Sequence, residues 1–161
     1  MVPMIFTCLA HLEDVTYQLY EVLFDKAENA QVRLLLGKIM LETRNHREIL
    51  EQLSKDYEHY SGSVDNCAEE MGDLYTTAME SALSLKEKLQ AGMSVLDAMK
   101  LLIQYEGDIG EEYVIQTHAR INAIDSTDLV LKRLLEDIAA EESVHAGDLK
   151  LAIKIASTHP S

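Results

Sequence analysis

Apolar residues spaced alternately by four and three positions run through most of this 161-residue chain. On an α-helix that spacing places the apolar side chains along one side, as a seam that can pack against neighbouring helices. The 2 prolines and 7 glycines leave few positions that would interrupt a helix. The pattern therefore predicts an all-α fold, a bundle of long helices in a single domain over residues 1–161.

Four long helices are predicted, at about 8–28, 30–57, 94–121 and 129–156. Thr7, Ser94 and the run from Asp125 to Asp128 are the predicted N-caps of the first, third and fourth helices. Their short polar side chains can accept hydrogen bonds from the backbone N–H groups of a first turn. An N-cap residue is therefore predicted for each long helix except the second.

The connections between the helices are predicted from turn-forming residues. Asn29 marks either a short turn or a kink between the first two long helices. Residues 59–72 are rich in Gly, Ser, Asp and Asn and are predicted to be a loop or crossover connection. A shorter helix follows at about 74–90, and Gly92 is its predicted C-terminal stop.

Six polar residues interrupt the seams: Glu13, Glu42, His46, Glu106, Glu142 and His145. Isolated buried carboxylates are costly against a total stability of about 10 kcal/mol, and no Lys or Arg lies in the middle of these seams. Protonated carboxylates that bond to one another, and satisfied core histidines, are one explanation. A divalent metal centre fits better, because carboxylate and imidazole donors together suit iron, manganese or zinc.

The polar seam residues follow the same order in the first and second halves of the chain. A Glu is followed by a Tyr seven residues later, and a Glu/His pair comes on the next long helix. The pairs are Glu13 with Tyr20, Glu42 with His46, Glu106 with Tyr113, and Glu142 with His145. Two helical hairpins around one centre are the arrangement that this repeat predicts.

These motifs resemble those of the ferritin-like di-iron carboxylate proteins, in which two helices each give a Glu and two each give a Glu-x-x-His pair. The spacing of Glu and Tyr is similar to that of the rubrerythrin and erythrin branch. The resemblance implies a ferritin-like four-helix bundle with an extra short helix between the second and third long helices. It also implies two iron ions, or manganese or zinc in one or both positions.

Individual roles follow from the resemblance. Glu13 and Glu106 would be the single-helix carboxylate ligands, and Glu142 with His145 would be the pair from the last helix. The same resemblance gives the tyrosines of the repeat, Tyr20 and Tyr113, a catalytic supporting role in which their hydroxyls orient ligand carboxylates. Ordinary core packing is the alternative for both tyrosines.

The second long helix departs from the family pattern. Thr43, not Glu, lies three residues before His46, and Glu42 lies four before it. We expect Glu42 to be the carboxylate ligand there, approaching from about 100° further around the helix axis. From that angle it would bridge the ions differently, bind only one, or point away.

Two further departures concern rubrerythrin chemistry. The chain has 2 cysteines and therefore lacks the four-cysteine rubredoxin site. Ile109 stands where rubrerythrins carry an extra carboxylate three residues after the ligand of the third long helix. A redox-driven exchange of ligands is therefore not expected.

Charge and cysteine content restrict the partners. A net charge of −14 argues against nucleic acid and against an anionic membrane surface. Cys8 and Cys67 lie far apart and indicate neither a zinc site nor a disulfide framework.

Residues 1–10 are apolar but lack a basic region, so they are predicted to enter a helix and not to form a signal peptide. No later segment is long enough to span a bilayer, and the predicted location is cytoplasmic.

The leading hypothesis is a non-haem di-iron protein that reacts with O₂ or hydrogen peroxide, as a peroxidase, oxidase or ferroxidase. Electrons would come from a separate donor or from Fe²⁺ itself. The alternative is a ferritin-like bundle with a degenerate site, which serves in metal binding or assembly without turnover and is favoured by Thr43. A plain structural helical protein would leave the seam carboxylates unexplained. A homodimer or a larger homo-oligomer is expected.

Overall fold

The computed structural model describes residues 4–58, 63–105 and 128–159, and the regular secondary structure in these ranges is entirely helical. The α-helices are α1 (Ile5–Lys26), α2 (Ala30–Leu53), α3 (Cys67–Met71), α4 (Asp73–Gln90), α5 (Val95–Tyr105) and α6 (Leu129–Thr158). The prediction of an all-α fold is therefore confirmed. Within the described ranges, no helix combines the length and the apolar character that crossing a membrane requires.

Five of these helices contact one another in the order α1, α2, α6, α5 and α4, and α4 returns to α1. The predicted short helix is thus α4, and it packs against both α1 and α5. α3 lies against α1 and α4. The third long helix was predicted to run to about residue 121, and its part beyond Tyr105 lies outside the described residues.

Three polar caps are present, and two of them, Ser94 and Asp128, were predicted as caps. The side chain of Asn29 accepts two backbone N–H groups of α2, at 2.9 and 3.1 Å, so Asn29 marks a turn and not a kink. Ser94 and Asp128 each accept one N–H from the first turn that follows, at 3.1 and 2.9 Å. Gly92 has a φ of +110°, which glycine adopts at little steric cost, and it follows α4 as predicted.

The predicted cap at Thr7 is wrong, because α1 begins two residues earlier, at Ile5. The carboxylate of Glu58 performs this role from a π-helical turn, Ser54–Glu58, that continues α2. It accepts the N–H of Phe6 at 2.5 Å and the N–H and hydroxyl of Thr7 at 3.1 and 2.7 Å. A carboxylate at this position also interacts favourably with the positive end of the helix dipole.

The expectation that no disulfide forms is wrong as well. Cys8 of α1 and Cys67 of α3 are bonded, with their Cα atoms 5.4 Å apart, and both are fully buried. Residues 59–72, predicted to be a loop, contain a 3₁₀ turn (Val64–Asn66) followed by α3. The short α3 brings Cys67 to α1, a contact that the separation of the two cysteines in the sequence does not reveal.

The apolar core consists of two clusters. One joins the start of α1 to the end of α2, to α3 and to the starts of α4 and α6. The other joins the end of α1 to the start of α2, to α5 and to the ends of α4 and α6. Between the two clusters lies a group of polar residues, here called the polar layer: Glu13, Glu42, His46, Glu141, Glu142 and His145.

Candidate metal centre

Two buried histidines form the middle of the polar layer. α2 and α6 run antiparallel, because Glu42 contacts His145 and, one turn further along α2, His46 contacts Glu142. The side chains of both histidines are almost fully buried, with relative exposures of about 1 % for the whole residues. Their rings stack with centroids 6.1 Å apart and planes at 23°. The helix pair therefore places one imidazole from each helix face to face.

The carboxylate of Glu142 reaches both imidazoles. Its Oε1 lies 3.0 Å from Nδ1 of His46, and its Oε2 lies 3.6 Å from Nδ1 of His145. Desolvation works to raise the pKa of Glu142, but the hydrogen bonds and charges of His145 and His46 outweigh it and hold that pKa well below its usual range. Glu142 is thus an anion with one oxygen directed to each histidine.

The outer nitrogen of each histidine contacts a different carboxylate. Nε2 of His46 lies 2.6 Å from Glu141, and Nε2 of His145 lies 2.8 Å from Glu42. A carboxylate that accepts a hydrogen bond from the Nε2–H group of a neutral histidine leaves Nδ1 available as a ligand atom. Glu42 and Glu142 therefore face opposite nitrogens of His145, and this geometry places Glu42 behind the ring, not beside Glu142.

Sequence reasoning missed Glu141. The sequence contains a pattern that could have indicated its role. If the two halves of the chain are aligned on their histidines, Glu42-Thr43-x-x-His46 matches Glu141-Glu142-x-x-His145. In that alignment Glu42 corresponds to Glu141, and Thr43 corresponds to Glu142. The structure supports it, because Thr43 is only 1 % exposed whereas the side chain of Glu42 is 26 % exposed. The buried stripe of α2 therefore passes through Thr43, one residue beyond the predicted seam position.

Glu13 completes a group of three residues that could hold a metal ion, together with His46 and Glu142. One ligand atom from each of these residues lies within 4.8 Å of the others. Burial acts to lower the pKa of His46, but the hydrogen bond to Glu142 and the charges of Glu13 and Glu142 outweigh it and raise the pKa to about 8. An imidazole nitrogen with two carboxylate oxygens suits iron, manganese or zinc, so the donors fit a divalent transition metal ion.

The carboxylates of the layer are less deeply buried than the seams predict. Glu13, Glu42, Glu141 and Glu142 are all partly exposed. Outside the seams, the exposed Lys38 offsets part of the charge of Glu42, since its Nζ lies 3.1 Å from Oε1 of Glu42. The free-energy cost of desolvating these carboxylates is therefore smaller than it would be for fully buried acids. The argument for a metal ion depends instead on the positions of the carboxylate and imidazole donors.

The predicted tyrosines and the third-helix ligand have different outcomes. Tyr20 is buried in the apolar cluster next to the polar layer, at 1 % exposure, so its role towards the carboxylates stays a prediction. Glu106 and Tyr113 lie outside the described residues. The structure thus brings together five of the six predicted ligands and adds Glu141.

Comparisons with protein-family models, with curated proteins and with solved structures find no match to this chain. The ferritin-like resemblance therefore depends on the motifs of the chain itself.

Proposed function

We propose that this chain is a ferritin-like, non-haem dinuclear metal protein of the di-iron type that reacts with O₂ or hydrogen peroxide. The observation that carries the proposal is the position of Glu142, which directs one carboxylate oxygen to His46 and the other to His145. A carboxylate with one oxygen towards each of two stacked imidazoles is suited to bridging two ions. No donor arrangement of this kind is needed for a helix pair to pack.

Each residue of the layer has a defined task in this proposal. Glu13, His46 and Glu142 would hold one ion, and Glu142 with His145 would contribute to the second. Glu42 and Glu141 would fix the two imidazole rings through Nε2. The predicted ligand Glu106 and the supporting roles of Tyr20 and Tyr113 belong to the same proposal.

Iron bound here would supply the capacity to pass electrons to O₂ or peroxide, with Fe²⁺ or a separate donor as their source. The residues around it would bind and orient the ions and hold protons. His46, with its pKa of about 8, would give up a proton when it binds a metal near neutral pH. The apolar clusters on both sides of the layer limit the access of water along the helix axes.

A second candidate function is metal binding without turnover, in a degenerate ferritin-like site. Two observations favour it: Thr43 stands where a second bridging carboxylate would be, and Lys38 already pairs with Glu42. A site with one ligand fewer holds its ions less tightly and leaves more of their coordination to water.

The predicted oligomeric state and cellular location of the protein remain proposals. A homodimer or larger homo-oligomer is proposed from the family resemblance. The cytoplasmic location is proposed from the sequence, and the Cys8–Cys67 disulfide weighs against it, because disulfides are rare in reducing compartments.

One experiment separates the two candidate functions. Metal-free protein is loaded with Fe²⁺ without oxygen, the iron bound per chain is measured, and O₂ or hydrogen peroxide is then added while the near-ultraviolet absorbance of Fe³⁺ is followed. Fast oxidation with two irons per chain supports the di-iron proposal, and binding without oxidation supports the second candidate. Glu142→Gln should abolish both, whereas the control Glu136→Gln, at an exposed position of the same helix, should leave both unchanged.

A chain that binds no metal under any loading would contradict both functions. Thr43→Glu tests the register of the repeat, because it supplies the carboxylate opposite Glu142. If the two residues are equivalent, this variant should bind the second ion more tightly than wild type does. If Glu42 already serves as that ligand, the added carboxylate should give no gain.

A further inference from the structure

Lys38 lies beside one half of the polar layer. It is on α2, one turn before Glu42, and its Nζ is 3.1 Å from Oε1 of Glu42 and 2.7 Å from Oδ2 of Asp148 on α6. The hydrogen bond to Asp148 raises the pKa of Lys38, and Glu42 adds to this against the opposing effect of burial. The ammonium group therefore stays positively charged where α2 and α6 meet.

The two carboxylates behind the histidines consequently differ. In the part of the chain that the structure describes, the salt bridge of Glu141 is with His46, whereas Glu42 divides its negative charge between His145 and Lys38. A carboxylate on the far nitrogen makes an imidazole a stronger metal ligand. Lys38 weakens that effect for His145.

The internal repeat shows that the difference is built into the sequence. Lys38 lies four residues before Glu42, and the corresponding residue on α6, four before Glu141, is Asp137. One half of the layer therefore has a lysine paired with its glutamate, where the other half has an aspartate that pairs with Arg133 instead. A cation near a site for a divalent ion disfavours that ion by Coulomb repulsion.

We propose that Lys38 makes the two ion positions unequal, so that the position formed by Glu13, His46 and Glu142 fills first and the position at His145 fills only against the charge of Lys38. This inference rests on the proposed metal-binding function. It adds an order of filling and names the residue that causes it. The protein would then hold one ion firmly and exchange the other.

The test is a stepwise titration of metal-free protein with Co²⁺ or Zn²⁺, with a competing chelator to measure each binding constant. In wild type the first ion should bind at least about tenfold more tightly than the second. In Lys38→Gln the second constant should rise about tenfold while the first stays unchanged, because the repulsion is removed and Glu42 regains its full charge for His145. Lys132→Gln, which removes the same charge from a distant exposed position of α6, is the control and should change neither constant.

The outcomes separate this inference from the function on which it depends. Wild-type protein that binds no ion contradicts the proposed function and, with it, the inference. Two ions bound equally in wild type, or a second constant that Lys38→Gln leaves unchanged, contradicts the inference alone. Circular dichroism of each variant confirms that it is folded, and the partly exposed side chain of Lys38 makes its replacement compatible with folding.

Discussion

Glu58 and Glu142 are both carboxylates in the interior of the helical assembly, but they have different kinds of partner. Glu58 is buried and accepts two backbone N–H groups and a hydroxyl at the start of α1. Glu142 faces two histidines, each of which also contacts another carboxylate. The chain itself satisfies Glu58, whereas the polar layer contains more acidic than basic groups.

This difference indicates what each region is for. The start of α1, with Glu58 and the Cys8–Cys67 disulfide, is a structural region in which neutral donors and a covalent bond fix the chain. The polar layer gathers negative charge around two imidazoles, which a bound cation would balance. Changes in the first region should alter stability without altering metal binding, whereas changes in the second should alter metal binding.

The largest effect is expected from the disulfide. Replacing both cysteines, as Cys8→Ala with Cys67→Ala, should lower the free energy of unfolding by about 4 kcal/mol, because the unfolded chain loses a cross-link. The two cysteines are 59 residues apart in the sequence. Urea unfolding of the oxidised protein and of the double variant measures the loss. Metal bound per chain should not change, and a coupled loss of metal from a folded variant would remove the distinction between the two regions.

Glu58→Ala should cost about 2–3 kcal/mol, because it leaves two N–H groups at the start of α1 without their acceptor. Glu58→Gln should cost less, since the amide oxygen can still accept one of them. Asp56→Ala, in the same turn but exposed, is the control and should stay within about 0.5 kcal/mol of wild type. Urea unfolding of metal-free protein compares the three variants. An equal loss in Asp56→Ala would mean that the turn as a whole, and not the carboxylate of Glu58, supports α1.

In the polar layer, Glu142→Gln should weaken metal binding by about 100-fold or more, because it removes the charge of the carboxylate that we propose both ion positions share. Glu141→Gln should weaken it by only about tenfold, since Glu141 acts through His46. Competition with a chromophoric chelator measures both constants. Equal losses in the two variants would mean that Glu141 is itself a ligand.

The smallest effect is a dependence of stability on pH in the metal-free protein. The folded-state pKa of His46 is about 8, above the value of about 6.5 for an unfolded chain. His46 therefore contributes about 2 kcal/mol of stability that is fully present below about pH 6.5 and is lost as the pH rises through 8. Urea unfolding from pH 6 to pH 9 should show this loss in wild type and in the control His159→Gln, but not in His46→Gln. A parallel loss in His46→Gln would assign the titration to another group.

Sequence patterns were sufficient for the features that depend on neighbours along the chain. The spacing of apolar residues predicted the helices, and polar residues before a first turn predicted the caps at Ser94 and Asp128. The same spacing placed His46 and His145 on inward faces, where the structure has them. Each of these features is fixed by residues within one or two helical turns.

The features that the sequence did not reveal depend on contacts between distant segments. The bond between Cys8 and Cys67, the cap from Glu58 and the pairing of Glu141 with His46 join residues that are 51 to 95 positions apart. Glu42 and Thr43 are adjacent and therefore lie about 100° apart around the axis of α2. A seam with alternating steps of four and three residues can pass through either of them, so the sequence does not decide which one faces inward. Packing against α6 decides it.

The most direct test of the central claim is anomalous X-ray diffraction from crystals loaded with Fe²⁺ or Zn²⁺, recorded at the absorption edge of the metal. We expect a strong anomalous peak in contact with Glu13, His46 and Glu142, and a weaker peak at His145. Crystals of Glu142→Gln grown in the same way should show neither peak. A wild-type crystal that contains the metal elsewhere, with no anomalous density between α2 and α6, would contradict the assignment of the polar layer as a metal centre.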